Sequence, residues 1–236
     1  MEFPAIFQGI MAAIAENLQA VRARIGRAAQ AARRDGATIA LLAVSKTHSA
    51  QKVAEARAAG QLAFGENYVQ EAIEKMLAAP GLEWHLIGPL QSNKTRIAAE
   101  RFQWVHTIER EKVARRLSEQ RPADLPPLNV LIQVNASGEA TKSGVGFAEI
   151  ENLAKVVASL PRLRLRGLMA IPEPGAPRER YREVSQTYQR LKGEFGWDTL
   201  SMGMSDDLEI AIAEGATLVR IGTAIFGERQ KTKDAA

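Results

Sequence analysis

Ile39-Ala40-Leu41-Leu42-Ala43-Val44-Ser45-Lys46 is the stretch whose reading decides the fold. Six apolar residues run together and a lysine closes the run. A short unbroken apolar run suits a parallel strand covered on both faces. Lysine is rarely buried without a reason. At the C-terminal end of such a strand it points into the mouth of an α/β fold, where active sites sit. Desolvation there disfavours the charged amine and leaves a nucleophile able to condense with a carbonyl. The other reading is a lysine that ends a strand and extends into water.

Working outward, the same pattern recurs. Upstream, Ile6, Ile10, Ile14, Leu18, Val21 and Ile25 step by three and four residues, which predicts a long amphipathic helix from Phe3 to Arg34, stopped by Asp35-Gly36. Downstream, Ser49 is placed to cap a helix that Gly60 ends. Strands are expected near residues 40, 63, 85, 104, 131, 167, 200 and 219, each followed by a helical or short turn segment. Strict alternation implies parallel strands with right-handed crossovers. Eight such units predict a closed (β/α)8 TIM barrel, class α/β. No Gly-x-Gly-x-x-Gly follows any strand, which counts against an open dinucleotide-binding sheet. The expected organisation is a single domain: a helical extension over 1–36, the barrel over 37–229 and a charged tail over 230–236.

Composition narrows the function classes. The 236 residues carry 31 basic and 27 acidic side chains, a net charge of +4 without a basic block, so nucleic-acid binding is not indicated. There is no cysteine, which excludes disulfides and thiolate metal sites. No apolar run approaches the ~20 residues of a membrane span. The N-terminus lacks the pattern of a signal peptide, and a cytoplasmic monomer is expected.

A barrel gathers its strand ends on one face. Those ends offer Ser45 and Lys46, Glu66 and Asn67, His85, His106 and Thr107, Gln133 and Asn135, Met169, Ser201 and Met202, and Arg220. Ser201-Met202-Gly203-Met204-Ser205 and Ile221-Gly222-Thr223 each lead into a helical turn after strands seven and eight. That is where barrels often bind phosphate on backbone N–H groups and hydroxyls. The competing reading makes Ser205 only a helix cap and Gly222 only a turn, and Asp206 and Asp207 would repel an anion unless turned away. Arg220 should face the barrel interior or mouth, where it requires a partner: a ligand, or a carboxylate such as Glu66. His85 and His106 lack a third ligand at metal spacing, and no metal site is expected.

With these residues assembled, the chain resembles the pyridoxal phosphate homeostasis proteins (the YggS/PROSC family), related to the barrel domain of alanine racemase. The resemblance rests on Ala43–Lys46, Phe64-Gly65-Glu66-Asn67, Trp84–Lys94, Gln133-Val134-Asn135, Gly167-Leu168-Met169, Ser201–Ser205 and Val219–Gly227. It implies that Lys46 holds pyridoxal phosphate as an aldimine and that Ser205, Gly222 and Thr223 bind its phosphate. It also implies that Arg220 lies near the pyridine nitrogen, that Asn67 lies beside the ring, and that Met169 and Met202 form apolar walls. His85, Asn93 and Lys94 recur in such families without a role that can be derived. An arginine at the ring nitrogen disfavours its protonation and weakens the ring as an electron sink. Racemisation needs a second base, which alanine racemases take from a separate C-terminal domain; here the chain ends at Ala236. The expectation is a binding protein for intracellular pyridoxal phosphate homeostasis with no firm catalytic residue and little turnover, its partners being the cofactor and apo-enzymes that receive it. An amino-acid racemase or other pyridoxal phosphate enzyme is the alternative, and a Schiff-base aldolase the third reading.

Overall fold

The computed structural model describes residues 5–139 and 141–228, with side chains from residue 13 onward. Eight parallel strands form a closed barrel in sequence order: β1 (Ala40–Val44), β2 (Ala63–Glu66), β3 (Glu83–Leu86), β4 (Trp104–Ile108), β5 (Leu128–Val134), β6 (Leu163–Ala170), β7 (Thr199–Ser201) and β8 (Leu218–Ile221). β1 pairs with both β2 and β8, which closes the ring. Around it run α1 (Ala5–Ala31), α2 (Ala50–Ala58), α3 (Val69–Ala78), α4 (Thr95–Arg101), α5 (Glu111–Gln120), α6 (Ile150–Ala158), α7 (Arg178–Phe195), α8 (Leu208–Ala213) and the single turn α9 (Thr223–Phe226).

Strand alternation sorts the side chains. On β1, Ala43 joins the large outer core between sheet and helices, whereas Leu42 and Val44 turn inward and pack with Ile87 and Leu218. A second inner cluster holds Trp104, Leu131 and Met169. The barrel is thus plugged by side chains, and each fully buried aliphatic residue contributes about 1.5–3 kcal/mol. The β5–β6 register shifts between Val130 and Leu131. Opposite the shift, Gly167 has φ +145°, and a Cβ there would run into the carbonyl oxygen of Thr199. Only glycine fits this position.

α1 lies across α8, α2 and α9. Its inner face buries Ile14, Leu18, Val21 and Ile25, four residues of the predicted stripe. Phe3, the side chains of Ile6 and Ile10, and the tail 230–236 lie outside the described residues. The helix ends at Ala31, three residues before the expected Arg34. Asp35 then caps a 3-10 turn, its carboxylate accepting from the Ala37 N–H at 2.9 Å. Ser49 caps α2 as expected, and Gly60 follows with φ +82°. The helices expected from about Glu66, Ser92, Glu109 and Ser205 start later, at Val69, Thr95, Glu111 and Leu208. The intervening residues form loops at the C-terminal ends of their strands.

Candidate functional site

Those loops surround a cavity of about 630 Å³ at the C-terminal mouth of the barrel. This lies within the ~300–1,000 Å³ usual for small-molecule sites. Lys46, Asn67, Ser205, Arg220, Gly222 and Thr223 all line it, joined by Gln133, Thr107 and the Ile171–Pro174 run after β6. Six of the eight expected site residues are therefore brought together. Met169 and Met202 are not among the lining residues. Met169 is fully buried with Trp104 and Leu131 within the barrel, and Met202 points outward into the helix layer, as alternation after inward Ser201 requires. The apolar part of the wall comes instead from Val44, Ile87, Ile171 and Met204.

Lys46 is half-buried, two residues past the end of β1 at Val44. Its neighbours are tied down from behind. Ser45 and Glu66 face the helix layer, and Lys75 reaches them from α3. Lys75 Nζ donates to the Ser45 carbonyl at 2.7 Å, to Glu66 Oε1 at 2.7 Å and to Glu71 Oε1 at 2.8 Å. Ser45 Oγ donates to the same Glu66 oxygen at 2.5 Å. Glu71 also accepts from the Thr47 N–H at 2.5 Å, and Thr47 has φ +65°. Burial raises the Glu66 pKa, and Lys75 opposes that shift. Glu66 is thus a partner of Lys75, whereas Arg220 donates to Ser201 Oγ at 2.7 Å and to the Ala170 carbonyl at 2.9 Å. The carboxylate proposed for Arg220 lies on the outer face of the sheet. Burial brings the Arg220 pKa down to about 10, so it remains cationic at neutral pH.

The β7 and β8 loops form one side of the cavity. Ser205 does not cap α8. That helix starts at Leu208 with Asp207 at its N-cap, and Asp207 accepts from the Met204 N–H at 2.5 Å and from the Tyr181 hydroxyl at 2.6 Å. This turns one of the two acids away, while Asp206 lines the cavity. A Cβ on Gly222 would lie 3.0 Å from the Val44 carbonyl oxygen, so a side chain here would crowd β1. From α1, Arg24 donates to the Ser205 carbonyl at 2.6 Å and Asn17 donates to the Ile225 carbonyl at 3.0 Å. Both loops are therefore braced by the N-terminal helix, a role the helix periodicity did not disclose.

The two histidines expected at the strand ends lie inside the barrel instead. His85 Nδ1 and His106 Nε2 are 2.9 Å apart, and both rings are buried. Among the described residues no group of three side chains is placed to hold a metal ion. His85 lines a second cavity, of about 370 Å³, at the opposite end of the barrel with Glu83, Trp104, Arg166 and Asp198. Asn93 and Lys94 sit in the turn before α4, where the Lys94 N–H donates to the Gln91 carbonyl, and neither lines the mouth cavity. Lys142 and Ser143 line it from the β5 loop, and nothing in their local sequence marked them.

An amine at a barrel strand end, two hydroxyls beside a glycine turn and a buried cation at the floor thus line one mouth cavity of a (β/α)8 barrel. The alanine racemase N-terminal domain family matches residues 12–230. A pyridoxal phosphate homeostasis protein of Pseudomonas aeruginosa is 61% identical over 223 residues, covering 93% of this chain and 97% of that protein. One from Escherichia coli K12 is 56% identical over 230 residues, covering 93% and 98%. The structure of PipY from Synechococcus elongatus with PLP bound is 34% identical, with a TM-score of 0.78, covering 91% of this chain and 100% of that one. Alanine racemase from Corynebacterium glutamicum, at 18% identity and TM-score 0.72, shares the fold. The chain belongs to the alanine racemase N-terminal domain family and, within it, to the pyridoxal phosphate homeostasis proteins.

The donor set fits that cofactor. Lys46 offers the primary amine an aldehyde requires, Ser205 and Thr223 offer hydroxyls to a phosphate, and the cavity has the volume.

Proposed function

We propose that this chain binds pyridoxal phosphate through Lys46 and holds it for intracellular homeostasis of the cofactor. The observation that carries this reading is that Lys46, Ser205, Gly222, Thr223 and Arg220, distant in sequence, line one cavity. When bound, the cofactor supplies an aldehyde that captures amines and a ring that draws electrons from carbon. Lys46 would supply the amine that condenses with this aldehyde, with loss of water. Ser205 and Thr223 would hold the phosphate beside the Gly222 turn, and Asn67 would stand beside the ring. Arg220, cationic and donor-only at neutral pH, would oppose protonation of a ring nitrogen held beside it. This favours storage over turnover, as a cytoplasmic monomer passing cofactor to apo-enzymes. No helix among the described residues is long and apolar enough to cross a membrane.

Borohydride reduction followed by peptide mapping tests the assignment: the adduct is expected on Lys46, and an adduct on Lys94 or Lys142 would reject it. Chiral analysis after incubation with single amino acids tests the second half. Sustained racemisation would replace the storage reading with the racemase one.

A further inference from the structure

One chain of buried polar groups links Arg220 to residues that the proposed function does not use. It starts at Arg220 on the mouth floor and crosses the barrel interior to Glu83, which lines the cavity at the opposite end. Arg220 Nη1 is 2.7 Å from Ser201 Oγ. Ser201 Oγ is 3.2 Å from His106 Nδ1. His106 Nε2 is 2.9 Å from His85 Nδ1, and His85 Nε2 is 2.8 Å from Glu83 Oε1. The three middle groups are 2% exposed or less, whereas the Glu83 side chain is 49% exposed. Ring stacking on Trp104, with 6° between the planes, fixes the orientation of His85.

The proton positions follow from the chemistry. A guanidinium only donates, and a carboxylate only accepts. Ser201 therefore accepts from Arg220, and its own proton is available to His106 Nδ1. A neutral imidazole has one donor and one acceptor. His106 must then donate from Nε2 to His85 Nδ1, and His85 from Nε2 to Glu83. Every distance is satisfied with both rings neutral and all donors pointing one way. The opposite tautomers would set a bare His85 nitrogen against a carboxylate oxygen. The remaining arrangement requires an extra proton on His85, which would turn His106 round and aim two N–H donors at Ser201. Complete burial lowers the pKa of both histidines and opposes that proton.

We propose that Glu83 is a positioning residue for Arg220: from the far end of the barrel it fixes the tautomers of His85 and His106, and through Ser201 the hydrogen bonding of the guanidinium at the cofactor-cavity floor. Aligned donors polarise one another, so removal of the terminal acceptor is felt along the chain. Only the consequence for the cofactor rests on the function proposed above.

The test uses the full chain labelled with 15N in histidine and arginine. The native protein without cofactor should show His85 and His106 as neutral Nε2–H tautomers at neutral pH. Glu83→Ala should shift both rings and the buried Arg220 Nη resonances and leave His48, the third histidine, unmoved. Glu83→Gln keeps a carbonyl acceptor for His85 Nε2 and should restore the native pattern. Charged His85 in the native protein, or Arg220 resonances unmoved in Glu83→Ala, would overturn the proposal. With pyridoxal phosphate added, Glu83→Ala should displace the bound-cofactor absorbance band and Glu83→Gln should return it. Native protein that takes up no cofactor would defeat the proposed function, while the tautomer results would still decide the chain.

Discussion

Replacement of Lys75 by Met is the sharpest test of how the segment carrying Lys46 is held. The Lys75 ammonium is 5% exposed and bonded to the Ser45 carbonyl, Glu66 and Glu71, while the Glu66 side chain is fully buried. Methionine keeps most of the apolar stem, so packing loss is small. What remains is a buried carboxylate whose cation is gone, and breaking such a pair costs about 3–5 kcal/mol. Glu66 lowers that cost by taking a proton. Burial has already raised its pKa, and without Lys75 it rises further. A raised carboxylate pKa contributes stability that is present below the unfolded-state value and lost as pH rises through the folded-state value. The stability deficit of Lys75→Met should therefore widen from pH 5 to pH 8, reaching about 3 kcal/mol at the upper end. Urea unfolding with linear extrapolation at both pH values measures it. Adding Glu66→Gln should recover most of the loss. A deficit under about 1 kcal/mol at pH 8, or one that narrows with rising pH, refutes the reasoning.

Thr223→Ala removes one hydroxyl from the proposed phosphate contacts; at ~1.5–3 kcal/mol for such a bond, binding should weaken roughly tenfold or more, seen as faster cofactor loss on dialysis. Native protein that binds pyridoxal and pyridoxal phosphate equally would show that no phosphate site exists. Arg220→Glu should shift the bound-cofactor absorbance by favouring ring protonation, and an unchanged band with cofactor bound rules that role out. Gly167→Ala drives a Cβ into the Thr199 carbonyl at a backbone angle that disfavours side chains, and should cost about 2 kcal/mol or more in thermal or urea unfolding.

The barrel was legible because short apolar runs and helical segments alternate along the chain in eight units. Lys46, Asn67 and the two glycine-bearing loops were legible because a closed barrel must bring its strand ends together. Alternation places Ser201 inside and Met202 outside, but the sequence does not reveal where β7 ends, and that decides which side chains reach the cavity. Met169 faces inward yet lies below the floor, a matter of depth along the axis that no residue pattern encodes. Glu66 read as an inward group because the short β2 offers too few residues to set its phase. The pairing of His85 with His106 depends on neighbouring strands in register, His85 opposite Trp104.

The brace formed by α1 has a thermodynamic corollary. Arg24 and Asn17 hold carbonyls of the Ser205 loop and of α9, so docking of the helix and the geometry of those segments are coupled. Linkage makes the coupling reciprocal: whatever steadies the loops steadies the helix by the same free energy. Phosphate in the mouth would then slow amide exchange along α1, on the outside of the barrel, and a macromolecule grasping α1 would change how long the cofactor stays.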